Sequence, residues 1–168
     1  MKRTILFFQA ALACLLVGCK QAPESPQLQD EVRYVDPFIG TGFHGHTFPG
    51  ATRPYAMIQL SPDTHILGWD ASSGYHYDDD HIYGFSHTHL SGTGIGDLGD
   101  VALLPFSGGD SIKPVATFKK ETEKATLGYY AVRLDNFGIN VELTSTDRVG
   151  FHKYTYDNPK ERRVLLDL

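Results

Sequence analysis

Turn-forming residues divide most of this sequence into short segments, and this spacing constrains the fold more than any other feature. From residue 32 onward, glycine, proline, asparagine and aspartate interrupt the chain roughly every eight to twelve residues, as in sandwiches. Between the interruptions, apolar and polar residues alternate, as in 129–134 and 141–144. A period of two places successive side chains on opposite faces of a strand. The pattern therefore predicts an all-β domain, an antiparallel β-sandwich, and no helical periodicity is visible in it.

Eight segments of the domain fit strands in this pattern. They are residues 56–60, 82–86, 101–106, 116–119, 128–134, 139–145, 148–156 and 163–168. The sequence D-N-F-G at 135–138 predicts a hairpin turn with a positive φ at Gly138, and D-N-P at 157–159 predicts a second turn. The last segment is apolar to its end, so it either pairs inside the sheet or continues in a longer protein. We expect the second, a fragment of a longer protein.

The first nineteen residues have the features of a bacterial lipoprotein signal. Lys2 and Arg3 precede an apolar stretch at 5–17 that is too short and wrongly flanked for a spanning helix. The stretch ends in L-V-G-C at Cys19, which is similar to a lipobox. An ordinary secretory signal with an incidental cysteine is the alternative. We expect removal of 1–18, lipidation of the cysteine, transport across the inner membrane, and anchoring in the bacterial envelope, in the periplasm or at the cell surface.

Composition narrows the chemistry open to the mature chain. Cys14 lies inside the signal and Cys19 is the expected lipidation site, so neither a disulfide nor a cysteine-based metal site is expected. Residues 19–31 contain two prolines and no apolar periodicity, which predicts a flexible tether before a folded domain at 32–168. The net charge of −5 gives no electrostatic footprint for nucleic acid, and no such partner is expected.

A series of ordered motifs makes the domain similar to a known family. The motifs are V-D-P-F-I-G-T-G at 35–42, H-G-H-T-F-P-G-A at 44–51, Q-L-S-P-D-T at 59–64, G-W-D at 68–70, S-G-Y at 73–75, G-F-S-H-T-H-L-S-G-T-G at 84–94, D-L-G-D at 97–100, G-Y-Y at 128–130 and E-L-T-S-T-D-R-V-G at 142–150. Together they resemble the N-terminal domain of the glycoside hydrolase family 92 α-mannosidases. The resemblance runs from about Val32 to the last residue.

The resemblance implies a secreted or lipid-anchored exo-α-mannosidase that trims mannose from N-glycans and mannans, inverts the anomeric configuration and needs Ca²⁺. In that family an N-terminal β-sandwich packs on a C-terminal (α/α)₆ barrel. The barrel supplies the general acid, the general base and the Ca²⁺ ligands, and N-terminal loops wall the mannose subsite. We expect this barrel to be absent from the chain. An inverting enzyme needs two carboxylates ~6.5–9.5 Å apart, and the sequence offers no such pair, so we expect no catalytic residue, metal ligand or bound Ca²⁺ here.

Trp69 and Asp70 are the first candidates for contact with a mannose-containing glycan. An indole stacks on the apolar face of a sugar, and a carboxylate accepts hydrogen bonds from its hydroxyl groups. Trp69 is the single tryptophan and lies between Gly68 and a serine- and glycine-rich segment. A core tryptophan that covers one end of the sandwich is the alternative.

Two histidine pairs complete the set of candidate substrate-binding residues. His44 and His46, like His87 and His89, have the i, i+2 spacing that shares one face of a strand. Histidine is a common Zn²⁺ ligand, whereas the resemblance implies Ca²⁺, which prefers oxygen. We therefore expect the second pair to hydrogen-bond within the loops or to line a domain interface. The first pair has the same ambiguity.

The remaining acidic residues of these loops are expected to be structural. Asp63 and Thr64 predict a turn cap, and 78–80 predicts a solvated turn, because consecutive side chains diverge. Asp97 and Asp100 could bind Ca²⁺ in isolation, but a turn is expected.

Three classes of function compete. The chain is a subsite-lining domain of a mannosidase, a free-standing lipoprotein that binds glycans without cleaving them, or a structural module of the envelope. We expect the first.

Overall fold

The computed structural model describes residues 31–65, 67–92, 99–108 and 113–168. The expected signal, the lipidation site at Cys19 and most of the expected tether lie outside these residues. The chain divides into two units, Met1–Arg33 and Tyr34–Leu168, and the fold below is that of the second. Its described residues form strands and 3₁₀ turns and no α-helix. None of the described residues belongs to a helix long and apolar enough to cross a membrane.

Eleven strands are formed by the described residues. They are β1 (Ala51–Thr52), β2 (Gln59–Asp63), β3 (His81–Ile82), β4 (Gly84–Ser86), β5 (Ala102–Phe106), β6 (Ala116–Thr117), β7 (Lys124–Thr126), β8 (Tyr129–Leu134), β9 (Ile139–Ser145), β10 (Gly150–Tyr156) and β11 (Arg163–Asp167). Three 3₁₀ turns span Val32–Tyr34, Trp69–Ser73 and Lys120–Thr122.

Two antiparallel sheets form the sandwich. One has the strand order β1-β2-β4-β5-β11 and the other β10-β9-β8-β7, while β3 and β6 form a separate two-stranded ribbon. Burial alternates along β8 and β9 because adjacent side chains of a strand point to opposite faces. The prediction of an all-β, antiparallel β-sandwich is confirmed.

Side chains from both sheets and from the ribbon form one hydrophobic core. Its largest fully buried members include Leu60 of β2, Phe85 of β4 and Leu104 of β5, opposite Tyr130 of β8 and Leu143 of β9. Full burial of each large apolar side chain stabilises the fold by about 1.5–3 kcal/mol. This core fixes the strand ends, and therefore the starting points of the loops that carry the histidines.

The predicted strands match where alternation is regular and differ where the chain changes partner. The segment 139–145 coincides with β9, and 128–134 and 101–106 each begin one residue before the observed strand. The segment 56–60 was wrong by about three residues, because Ala56 closes a turn by donating to the Arg53 carbonyl. The segment 82–86 is two strands, since β3 pairs with β6 while β4 pairs with β2 and β5.

Both predicted turns are present. Asp135 to Gly138 connects β8 to β9 as a hairpin, and Gly138 has the expected positive φ of 63°. Residues 157–160 form the bend and turn between β10 and β11. The final strand β11 pairs with β5 and forms an edge of the larger sheet.

Candidate functional site

A tightly folded loop before β1 presents His44 and His46. Two of its residues other than glycine, Phe43 and His46, have positive φ values of 53° and 50°. At Gly45 the backbone approaches so closely that a Cβ would lie 2.0 Å from the Gly40 carbonyl oxygen. Left-handed backbone outside glycine stores strain and is concentrated at functional sites. The loop therefore holds its two imidazoles in one arrangement.

Asp70 joins this loop to the 3₁₀ turn Trp69–Ser73. His44 Nδ1 and His46 Nε2 both donate to Asp70 Oδ1, at 2.7 and 3.0 Å. These two hydrogen bonds lower the pKa of the Asp70 carboxyl, so the group is ionised at neutral pH. No hydrogen bond from the other described residues reaches Oδ2, which leaves this oxygen available to accept from a ligand.

Trp69 is a surface residue. Its side chain is 56% exposed, and its ring lies 4.4 Å from that of His46 and 5.0 Å from that of His44. The alternative of a core tryptophan is wrong, because the core is formed by other residues. Phe43 lies beside His44 and is 80% exposed. The arrangement presents aromatic surface next to a carboxylate, which suits a ligand with an apolar face and hydroxyl groups.

His44, His46 and Asp70 also form a potential metal centre. One ligand atom from each side chain lies within 4.8 Å of the others. The set contains two nitrogen donors and one oxygen, whereas Ca²⁺ takes six to eight oxygen ligands. These three residues therefore do not fit the Ca²⁺ that the family resemblance implies. Their chemistry suits a borderline ion such as Zn²⁺.

The second histidine pair does not join this cluster, and its two rings point to different places. His87 donates from Nδ1 to the Val101 carbonyl at 2.7 Å, and its Nε2 lies 3.3 Å from Nε2 of His152 on β10. Burial, reinforced by the neighbouring His87, lowers the pKa of His152 to about 4. Tyr154 hydroxyl contacts His152 Nδ1 at 2.7 Å. The expected loop hydrogen bonding is therefore present for His87, within a pair that the sequence did not predict.

His89 is buried beside Asp63 and Ser86. His89 Nε2 lies 3.0 Å from Asp63 Oδ1 and 3.2 Å from Ser86 Oγ, and its Nδ1 donates to the Gln59 carbonyl at 2.7 Å. In a nucleophilic triad the carboxylate and the serine contact opposite nitrogens of the imidazole. Here both contact Nε2, and Ser86 donates to Asp63 at 2.8 Å. The three side chains form a buried hydrogen-bond network and not a nucleophilic centre.

The predicted turn cap at Asp63 was wrong. Asp63 lies in strand β2, and its carboxylate also accepts from the Ser86 backbone amide at 3.0 Å. A buried carboxylate requires such donors because an unpaired charge is strongly disfavoured away from water. Thr64 is buried just beyond this strand and accepts from the His76 amide through Oγ1 at 2.8 Å.

The other acidic residues are distributed over the surface loops. Asp78 and Asp80 are exposed, as expected for a solvated turn, while Asp79 contacts His65 Nδ1 at 3.1 Å. Asp100 contacts Thr88 through both its amide and its carboxylate. Asp97 lies outside the described residues.

Sequence reasoning missed a buried carboxylate at Glu123. It accepts from the hydroxyl groups of Tyr130 at 2.6 Å and Tyr75 at 3.0 Å, and from Lys120 Nζ at 3.1 Å. Burial and the nearby negative charge raise the pKa of Tyr75. Tyr75 is 48 residues from Glu123 in sequence, so no local motif could have connected them.

Two clefts lie near the turn that carries Trp69 and Asp70. The larger, about 590 Å³, includes Gly68 and Ala71 of this region together with Asp63 and Leu165. The smaller, about 290 Å³, includes His65 and other residues of the neighbouring loops. The glycan candidates lie outside the lining of both clefts, so the candidate site is an open surface and not an enclosed pocket.

Comparison with known proteins identifies the family. Residues 34–168 match the glycosyl hydrolase family 92 N-terminal domain. The chain belongs to this family. A curated relative in Arthroderma benhamiae, described as an uncharacterized secreted glycosidase, is 34% identical over 155 residues, which cover 83% of this chain and 20% of the relative.

Solved structures of family 92 enzymes have the same fold. An α-mannosidase from Bacteroides thetaiotaomicron in complex with mannoimidazole is 39% identical, with a TM-score of 0.78 over 81% of this chain and 19% of that one. An inverting mannosidase from the same organism is 27% identical, with a TM-score of 0.67 over 81% of this chain and 19% of that one. The chain therefore spans about a fifth of the length of these relatives.

Proposed function

We propose that this chain is the subsite-forming N-terminal domain of a Ca²⁺-dependent, inverting exo-α-mannosidase. The substrate would be the terminal mannose of an N-glycan or mannan. Family membership supports the reaction class, and the printed descriptions of two relatives as an α-mannosidase and an inverting mannosidase support the substrate and stereochemistry. A (α/α)₆ barrel in the remainder of the protein would supply the general acid, general base and Ca²⁺ ligands.

The observation that carries the proposal is the exposed indole of Trp69 beside the ionised carboxylate of Asp70. The indole would stack on the apolar face of mannose, and Asp70 Oδ2 would accept from a hydroxyl group. His44 and His46 hold the carboxylate in place through Oδ1. Because they fix a group that contacts the sugar, these two histidines act as positioning residues.

His87 and His89 have a weaker claim to the subsite. The Nδ1 atoms of both rings contact backbone carbonyls, and His89 is buried. We propose that they stabilise the loop scaffold, while a contact between the glycan and the exposed edge of His87 remains testable by substitution.

The envelope location is part of the same proposal. The lipobox-like sequence before Cys19 supports transport and lipid anchoring, and the description of the fungal relative as secreted supports an extracytoplasmic site of action. Mass spectrometry of the N-terminal peptide should find a lipid on Cys19. An unmodified cysteine within an intact signal would contradict the anchor.

The test uses the protein that contains both this domain and the catalytic barrel. Loss of a hydrogen bond to a charged group costs about 1.5–3 kcal/mol, so Asp70→Asn should lower kcat/KM for an α-mannoside by about 10- to 150-fold. Trp69→Ala should lower kcat/KM with little change in Tm. Phe151→Ala on the outer face of β10 is the matched control for Trp69, because Phe151 is 53% exposed.

The gene sequence beyond Leu168 provides a second, independent test. An in-frame continuation that encodes helix pairs would support the two-domain enzyme. A stop codon directly after Leu168, together with glycan binding by the purified chain, would instead favour a free-standing carbohydrate-binding lipoprotein. Normal kcat/KM in both site variants of an active two-domain enzyme would refute the subsite assignment but not the family.

A further inference from the structure

The cluster of His44, His46 and Asp70 has the chemistry of a transition-metal site. We propose that these three side chains bind one divalent ion of the zinc class, separately from any Ca²⁺ held by a catalytic barrel. The three donors are Nδ1 of His44, Nε2 of His46 and a carboxylate oxygen of Asp70. Two imidazoles and one carboxylate match the three-ligand sites in which Zn²⁺ keeps a further position open.

The geometry requires only a small adjustment to admit the ion. Zn²⁺ lies about 2.0–2.2 Å from nitrogen and oxygen ligands, which places tetrahedral ligand atoms roughly 3.3–3.6 Å apart. The observed separations from Asp70 Oδ1 are 2.7 Å to His44 and 3.0 Å to His46. Replacing the two N–H protons by a metal therefore needs an opening of about half an ångström, within reach of the exposed His44 ring and the Asp70 side chain.

The loop geometry keeps the donors together without the ion. His46 accepts through its carbonyl from the Gly92 amide at 2.7 Å, and Thr47 donates from its amide to the Gly40 carbonyl at 3.3 Å. The close approach of Gly45 to Gly40 excludes a side chain at position 45. A site that is already assembled requires little ordering of the backbone when it binds, which favours affinity.

Exposure indicates which side of the site is open. The His46 side chain is 5% exposed, whereas those of His44 and Asp70 are 46% and 33% exposed. The ion would therefore enter from the side of His44 and Asp70, and its remaining positions would face solvent. Water or a pair of hydroxyl groups could occupy them.

The inference does not depend on the proposed glycan role, because the three ligands belong to this chain alone. If both hold, the ion and a sugar hydroxyl would compete for Asp70. Zn²⁺ would then inhibit the two-domain enzyme, and excess Ca²⁺ would not relieve the inhibition at this nitrogen-rich site.

The experiment measures Zn²⁺ binding to the purified full chain by titration calorimetry, with Co²⁺ as a spectroscopic probe of the coordination sphere. The wild type should bind one ion that is lost in His44→Ala and in Asp70→Asn, with affinity at least tenfold weaker in each. His81→Ala is the control, because His81 is also an exposed histidine beside a carboxylate, that of Asp80. Its variant should bind as the wild type does.

Two further arms keep the outcome decisive. The thiols of Cys14 and Cys19 can also bind Zn²⁺, so a Cys14→Ser, Cys19→Ser background separates them from the proposed site. His46→Ala removes a buried ring, so circular dichroism must first show that it folds. If His44→Ala and Asp70→Asn in the thiol-free background leave Zn²⁺ affinity and the Co²⁺ spectrum within twofold of wild type, the proposal is refuted.

Discussion

Gly74 separates the candidate site from the buried network below it, and its substitution tests that arrangement. Gly74 ends the 3₁₀ turn that carries Trp69 and Asp70, and its φ is +73°. A Cβ at this position would lie 2.9 Å from Asp63 Oδ1 and 2.9 Å from His89 Cδ2. The variant Gly74→Ala therefore combines a left-handed backbone with a steric conflict.

The chain provides a matched control for the backbone term. Gly128 also has a φ of +73°, but nothing lies within 4 Å of its ideal Cβ position. Placing alanine in the left-handed region costs about 1–2 kcal/mol, and this cost applies equally at both positions. Gly128→Ala should therefore lower the free energy of unfolding by about 1–2 kcal/mol.

The steric term should appear only at Gly74. Asp63 cannot move away easily, because its carboxylate is held by the Ser86 amide, the Ser86 hydroxyl and His89. Overpacking of a well-packed interior costs typically about 1–3 kcal/mol. Gly74→Ala should therefore lose about 2–5 kcal/mol in total, which exceeds the loss in Gly128→Ala by about 1–3 kcal/mol.

Urea denaturation of both variants, followed by fluorescence and circular dichroism, measures the difference. The slope with urea should stay the same, so that the midpoints report stability. Equal losses in the two variants, within about 0.5 kcal/mol, would refute the argument that Gly74 is required by the contact with Asp63.

Two further predictions concern titratable side chains. The pKa of His152 is lowered to about 4 by burial and by His87, so between pH 6.5 and 4 the unfolded chain binds a proton that the folded chain does not. The free energy of unfolding should fall as pH is lowered through this range, by about 2 kcal/mol after allowance for partial exposure; His152→Gln should lose this component in urea titrations, and an unchanged difference would contradict it. Glu123→Gln leaves the Lys120 ammonium without its carboxylate, so Tm should drop with a loss of about 2–4 kcal/mol, whereas a neutral result would show that the pair contributes no net stability.

The fold could be predicted because its signal is local. A period of two with regular turn residues specifies strands such as β8 and β9 from neighbouring residues alone. Strand β1, with two residues, and β7, with three, were missed because they are too short to show alternation. Tertiary pairing, not local preference, makes them strands.

The candidate site could be predicted only in part. Trp69 and Asp70 were selected for their chemistry, and the sequence also selected His44 and His46. Their meeting could not be predicted, because Asp70 is 26 and 24 residues from the two histidines. The lowered pKa of Asp70 depends on that meeting and is equally absent from the sequence pattern. Glu123 and His152 have partners that lie on distant strands or turns, and neither carries a local signal.

The two histidine pairs show why spacing alone does not define a site. Both have the i, i+2 pattern, which places two side chains on one face only where the backbone is a regular strand. His87 and His89 follow the end of β4, and their rings contact β10 and β2 separately. His44 and His46 lie in a loop with a left-handed residue, yet both rings reach one oxygen of Asp70. Convergence on a shared partner is therefore the feature that distinguishes a ligand-binding pair from a structural one, and in this domain it occurs beside the exposed face of Trp69.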